Sequence, residues 1–246
     1  MIEARGLRKT FNKGKVTAVD EVSFTARDGQ ITGLLGPNGA GKTTTLRMLY
    51  TLLKPDAGSM RVDGIDPEAE PIKVKSLLGV VPDSRGLYDR LSARENIAYF
   101  GRLQGMKKAD INTRIEQLAG VLDMDEFIDR RPVGFSQGQR VKTAIARALV
   151  HNPRTVLLDE PTNGLDVMTT RALRGFLRQL KREGRCVVLS THIMQEVAAL
   201  CDRIVIIAKG RVAAEGTADD LLRRSGRDNL EDAFVHLIGS DEGLLA

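Results

Sequence analysis

The sequence predicts an α/β fold. It has a mostly parallel sheet with crossover helices, a small antiparallel β subdomain at the N-terminal end, and an α-helical block inserted at about 88–150. Three observations carry this. After residue 154, apolar runs alternate with amphipathic stretches: TVLLD, a helical pattern from about 167 to 182, CVVLS, then IMQEVAALCD. That order is the one βα units produce. From about 90 to 150 the pattern is mainly helical. Before residue 35, IEARGL and VTAVDEVSFTA read as strands and lead into the buried run ITGLLG.

Element by element, Asp28-Gly29 is a hairpin-type turn signal. A Gly-rich loop follows ITGLLG, and then TTTLRMLYTLL repeats its apolar residues at helical spacing. KPDAGS closes that helix, and RVDGID adds a strand and turn. The apolar run LLGVV stops at Pro82 and is followed by a carboxylate, Asp83. Ser92-Ala93-Arg94-Glu95 is a capping-box pattern opening one helix, INTRIEQLAGVL is a second, and QGQRVKTAIARALV is a third. IVIIA and RVAAEG flank Lys209-Gly210 as a terminal hairpin. Residues 1–225 read as one domain and 226–246 as a short C-terminal tail, with no internal repeat.

The apolar share, 42%, is enough to bury a core of this length. The net charge of +5 fits a basic soluble protein, or one drawn to phosphates or an anionic membrane face. Basic residues are scattered and Trp is absent, so no nucleic-acid partner is expected. Cys186 and Cys201 lie inside apolar patterns without metal-ligand spacing, as small core residues of a reduced, cytoplasmic protein do. MIEARGLRKT lacks the apolar core of a signal peptide. No apolar run approaches the roughly 20 residues that span a bilayer. Any membrane role is therefore expected to be borrowed from a partner.

Gly36-Pro37-Asn38-Gly39-Ala40-Gly41-Lys42-Thr43, with Thr44 next, fits G-x-x-x-x-G-K-[ST] between a strand and a helix. Small residues let the backbone curl so that N–H groups meet phosphate oxygens, and the helix N-terminus adds positive potential. Lys42 is a point charge for the β- and γ-phosphates, and the Thr43 hydroxyl can ligate Mg²⁺. The α/β core is thus expected to be a P-loop NTPase core of RecA-like type. Val156-Leu157-Leu158-Asp159-Glu160 is a buried strand ending in two carboxylates. Alone they would read as strand-end surface acids. Beside a phosphate loop, Asp159 suits Mg²⁺ and Glu160 suits general-base activation of water.

The stretch Gly134-Phe135-Ser136-Gln137-Gly138-Gln139-Arg140 is a second capping-box pattern, with Ser136 and Gln139 at the start of a long helix. It is either an ordinary cap or a second anion site at a helix N-terminus. Here the chain resembles the ATP-binding subunits of ABC transporters, over nearly its whole length and in motif order. FSQGQ (135–139) resembles their signature, usually LSGGQ. EPTNGLD (160–166) resembles Walker B running into the D-loop. His192, after CVVLST, resembles the switch histidine, and Phe11 takes the place of the aromatic that stacks on adenine. The resemblance implies a head-to-tail pair with ATP and Mg²⁺ at the interface. Ser136 and the backbone at Gly138 would contact the γ-phosphate in trans, Asp166 would cross the interface, and His192 would hold phosphate and water in line. GTPases are disfavoured because no N-K-x-D follows the phosphate loop. A nucleotide kinase is disfavoured by the signature and Glu160, and soluble ABC ATPases usually show two cassettes or a long coiled-coil insertion.

Two departures stand out. Gln137 replaces the usual Gly, so its side chain must fit near the partner's nucleotide or turn away. The family's Q-loop Gln is replaced by Asp83, which either ligates Mg²⁺ or turns away as a cap or turn residue. The ending NLEDAFVHLIG (229–239) resembles exporter subunits that pair with a separate ABC-2-type membrane protein. PDSRGLYDRLSARENI (82–97) with GFSQGQR resembles the NatA-type subunits of sodium-extruding transporters. A drug or lipid exporter subunit is the nearest alternative. The resemblance implies a peripheral protein at the cytoplasmic membrane face, as a homodimer on an integral membrane permease, with residues 84–89 as the dock.

Overall fold

The computed structural model describes residues 1–84 and 86–239. Arg85, within the expected dock, and residues 240–246 of the tail lie outside the described residues. Strands β1 (Ile2–Phe11) and β2 (Val16–Ala26) pair antiparallel, β3 (Ile31–Leu35) leaves for a second sheet, and β4 (Ala57–Val62) returns to the free edge of β1. The second sheet holds β3, β5 (Leu78–Val81), β6 (Thr155–Asp159), β7 (Cys186–Thr191), β8 (Arg203–Ala208) and β9 (Arg211–Gly216), in the order β5-β6-β7-β3-β8-β9. All its pairings are parallel except the β8–β9 hairpin. Every residue of β3, β6 and β7 is buried. That is why these segments are continuous apolar runs without alternation.

Parallel pairing puts like ends together. Leu35 lies beside Thr191, Asp159 beside Ser190, and Val81 beside Leu158. The residues just past these strands (the phosphate loop, Glu160, His192 and Asp83) therefore emerge at one edge, the usual place for ligands in open α/β sheets.

Helix α1 (Lys42–Leu49) follows the phosphate loop and α2 (Pro71–Leu77) precedes β5. The inserted block contains α3 (Ala93–Leu103), α4 (Lys108–Leu122) and α5 (Gln137–Leu149). Ile97, Ile115 and Ile145 join one apolar cluster with Val81, Leu158 and Leu189 of the sheet, so the block shares its core with the strands. Both expected capping boxes form, at Ser92 with Glu95 and at Ser136 with Gln139. Then come α6 (Val167–Arg182), α7 (Met194–Leu200), α8 (Ala218–Ser225) and α9 (Leu230–Ile238). Phe234 of α9 packs in the cluster of Val197, Ile204, Ile206 and Leu221, so the tail lies on the core as far as the described residues run. Among the described residues no helix is long and apolar enough to cross a membrane. Cys186 and Cys201 are free, and burial pushes their thiols up to about 11 and about 12, as expected of unreactive core thiols.

Three expectations are corrected. Asp28-Gly29 forms a turn, but the strands around it enter different sheets, so it is no hairpin. The helix after the phosphate loop ends at Leu49, not Leu53; Thr51 at φ +63° lets Leu52 and Leu53 N–H groups both close on the Arg47 carbonyl. The β8–β9 hairpin is not terminal, because α8 and α9 follow it.

Candidate functional site

The phosphate loop runs from β3 into α1 over a backbone that leaves no room for a side chain at Gly36 or Gly41. Gly41 has φ +106°, and a Cβ there would stand 2.4 Å from the Ala18 carbonyl oxygen. With Gly41 as N-cap, no side chain caps α1, which leaves its first N–H groups for an anion. Lys42 is only 5% exposed. Its Nζ donates to the carbonyls of Gly36 (2.7 Å) and Pro37 (3.1 Å) and lies 3.4 Å from Glu160 Oε1. This lysine is thus fixed at the mouth of the curl rather than swinging in solvent.

The carboxylates sit one strand away. Asp159, 3% exposed, accepts the Thr43 hydroxyl at 3.0 Å and the Ser190 hydroxyl on the same oxygen. Burial holds its carboxyl above the usual range, against the pull of the two hydroxyls and with the help of nearby Asp83 and Glu160. Glu160 adopts φ +47°, an uncommon conformation for a side-chain-bearing residue and one found at functional turns. Its N–H is held by the Ser190 hydroxyl (3.1 Å) and carbonyl (3.2 Å). Its Oε2 lies 2.9 Å from His192 Nδ1.

Lys42, Thr43, Glu160 and His192 line one cavity of about 330 Å³, and Asp159, bonded to Thr43, lies behind that lining rather than in it. Its walls are the loop and helix start from Asn38 through Gly39, Ala40, Gly41, Lys42 and Thr43 to Thr44, together with Asp83, Glu160 and His192. Ala18 and Asn163 also line it, and Ser190 orients both carboxylate residues from beneath. Sequence reasoning had assigned none of these three. Asn163 was legible only as part of EPTNGLD, and Ser190 and Ala18 carry no signal beyond their strands. The donor set suits a polyphosphate with a hard cation. One buried carboxylate and one hydroxyl meet, a second carboxylate is nearby, and phosphate oxygens would complete the shell. Among the described residues no group of three His, Cys, Asp or Glu side chains could hold a metal by itself.

Other expected residues lie apart from this cavity. Phe11 ends β1, 37% exposed, with Lys9 Nζ 6.0 Å from its ring centre. Ser136 is exposed at the start of α5, and its hydroxyl accepts the Gln139 N–H at 3.2 Å while Gln139 Oε1 accepts the Ser136 N–H at 3.0 Å. Gln137 turns toward Gly164 of its own chain. Asp166 caps α6, accepting the Thr169 N–H at 2.9 Å and hydroxyl at 2.7 Å, and these bonds hold its carboxyl below the usual range. One chain therefore presents a phosphate cavity at an uncapped helix start and, separately, an exposed helix start closed by its own capping box.

The sequence model of the ABC transporter family matches residues 19–163. The chain is 46% identical over 224 residues to the ABC transporter ATP-binding protein NatA of Bacillus subtilis, covering 91% of each. It is 39% identical to the doxorubicin resistance ATP-binding protein DrrA of Mycobacterium tuberculosis, over 98% of this chain and 71% of that protein. Its fold matches the dimeric post-hydrolysis structure of the ATP-binding cassette MJ0796 bound to ADP and Pi, with TM-score 0.81 and 28% identity over 88% of this chain and 98% of that one. A cavity with the polyphosphate chemistry described above, in a chain so matched, leads to one conclusion: the protein belongs to the ABC transporter family, as an ATP-binding and ATP-hydrolysing subunit.

Proposed function

We propose that two copies of this chain close head to tail around two ATP molecules and thereby drive export through a separate integral membrane permease. The observation that carries this is the split within one chain. Lys42, Thr43, Asp83, Glu160 and His192 share a cavity that Ser136, Gly138 and Asp166 do not reach. A second copy would bring its Ser136 helix start over that cavity, so that two helix N-termini face one polyphosphate. The cassette MJ0796, similar in fold, is described as dimeric.

In this reading the loop from Gly36 to Thr44 wraps the phosphates, and Phe11 stacks on the adenine. Glu160 takes a proton from the attacking water. His192, already 2.9 Å from Glu160, orients it toward the γ-phosphate. Thr43 and Asp159, with Asp83 at the cavity wall, would hold Mg²⁺. When bound, Mg²⁺ supplies positive charge against the β- and γ-oxygens. Ser136 and the Gly138 backbone reach the partner's γ-phosphate, Gln139 braces that helix start, Gln137 stands beside it, and Asp166 faces across the interface. ATP joins the two copies and hydrolysis releases them. The protein then works at the cytoplasmic face of the cell membrane.

The cargo we propose is the sodium ion. Its support is the resemblance of residues 82–97 and of GFSQGQR to NatA-type subunits, together with the identity to NatA. The relation to DrrA supports the second reading, a drug exporter subunit. Vesicles carrying this chain with its permease should show ATP-driven sodium efflux. Normal sodium efflux in cells lacking the chain would reject sodium as cargo, and loss of drug tolerance there would favour the second reading.

A further inference from the structure

The Ser136 helix start is tied to the Glu160–Asp166 loop of the same chain. Gln137, the first residue of α5, lays its side chain on Gly164. A Cβ placed on Gly164 would stand 3.5 Å from Gln137 Cγ and 3.6 Å from its Nε2. One residue on, a Cβ placed on Gly138 would stand 3.1 Å from both Oγ1 and Cγ2 of Thr169. Thr169 binds Asp166 through its N–H and its hydroxyl. The loop then closes back on itself, with the Leu165 N–H on the Thr162 carbonyl and the Asn163 N–H on the Glu160 carbonyl. A chain of contacts thus leads from the signature helix to the residue assigned as base. A glycine at 137 would remove the contact on Gly164 and leave the one at Gly138, together with the apolar packing of α5 on α6 and Leu165.

We propose that Gln137 is a positioning residue that makes the Ser136 helix start and the Glu160–Asp166 loop move as one body. This rests on the head-to-tail reading above. In such a pair the two elements of one chain serve different nucleotides: the loop its own, the helix start the partner's. Gln137 therefore couples the two ATP sites. The side chain acts through its methylenes and length, by packing on a backbone turn, rather than by reading the nucleotide with its amide.

Gln137→Gly removes the contact, and Gln137→Met keeps its length without the amide. In the isolated chain without nucleotide, amide exchange over residues 163–166 should be about tenfold faster in Gln137→Gly and unchanged in Gln137→Met. In the complex with its permease, Gln137→Gly should drop the Hill coefficient for ATP hydrolysis toward one, while Gln137→Met keeps the wild-type value. Unchanged exchange in Gln137→Gly overturns the contact. Faster exchange with an unchanged Hill coefficient overturns the coupling. Equal defects in both variants, with a raised half-saturating ATP concentration, show instead a direct amide contact with nucleotide and also overturn the proposal. If the wild-type complex is itself non-cooperative, the coupling is overturned; the head-to-tail reading is decided separately by whether mixing Lys42→Ala with Ser136→Ala restores activity, and the exchange result still decides the contact.

Discussion

The phosphate loop and the Ser136 helix start are both helix N-termini, yet the chain treats them in opposite ways. Around the first, Lys42, Asp159 and Glu160 are 5%, 3% and 8% exposed and bound to neighbouring groups. Around the second, Ser136 and Gln137 are exposed; Ser136 exchanges hydrogen bonds with Gln139 of its own cap, and Gln137 lies against Gly164. The first is framed by the ends of parallel strands, so a single chain completes it. The second stands on an inserted helical block and faces outward. The contrast separates binding from turnover: one chain should suffice to bind nucleotide, and two should be needed to hydrolyse it.

The largest effect is expected at the buried end of this comparison. Glu160→Gln should lower ATP hydrolysis by about 10²–10⁴-fold, the usual loss for a general base. ATP binding should persist, and an ATP-dependent dimer should accumulate in light scattering. Wild-type turnover in this variant would remove Glu160 from the base role.

Ser136→Ala tests the exposed end. Turnover should fall by about 10²-fold, as for loss of one aligned donor, while ATP binding by the isolated chain stays at the wild-type level. A Lys42→Ala variant should lose that binding. The sharper test mixes the two. A head-to-tail heterodimer of Lys42→Ala with Ser136→Ala has one site carrying both defects and one carrying neither, so mixing two inactive proteins should restore activity. If no activity returns, the two ends do not meet across chains.

A smaller effect, on stability, comes from Asp159. Its folded-state carboxyl is raised above its ordinary value by burial. The fold thus favours the protonated form. The associated stability is present at low pH and lost as pH rises through the folded value, so at neutral pH the ionised group is a cost. Asp159→Asn keeps an acceptor oxygen for Thr43 and Ser190 and removes the charge. It should raise the melting temperature by about 3 °C near neutral pH, with the gain shrinking toward about pH 4. Mg²⁺ with nucleotide should stabilise the wild type more than this variant.

The two ends were unequally legible in the sequence. The phosphate loop and the Asp159–Glu160 pair were readable because their chemistry needs particular residues in consecutive positions. The Ser136 pattern named a capped helix, but cap and anion site use the same residues, so its reach depended on a partner. Helix α2 escaped notice because PIKVKSL buries only Val74 and so shows no apolar period. Helix α1 was read too long because Leu53 continues its apolar spacing while packing from a turn. Apolar period reports burial and not hydrogen bonding. Asp28-Gly29 misled in a related way: a turn dipeptide sets the local bend, whereas the return of β4 to the edge of β1 decides which strands pair.

Asp83 gives the smallest expected effect and the finest test of the buried end. It is exposed, on the short link after β5, yet it lines the cavity with Lys42 and Glu160. Its charge is felt at Asp159, whose carboxyl it helps to raise. A carboxylate there suits a hard cation better than a neutral amide does, but it repels a triphosphate wherever no cation lies between. Asp83→Gln, the exchange to the family's usual residue, should therefore work in two directions at once. It should raise the Mg²⁺ concentration for half-maximal hydrolysis about threefold, a loss of roughly 0.6 kcal/mol in metal binding. It should also tighten ATP binding measured without Mg²⁺. If a Mg²⁺ titration of the variant superimposes on that of the wild type, Asp83 is an ordinary turn residue at the cavity wall, and Asp159 with Thr43 are the only protein groups left to meet the metal.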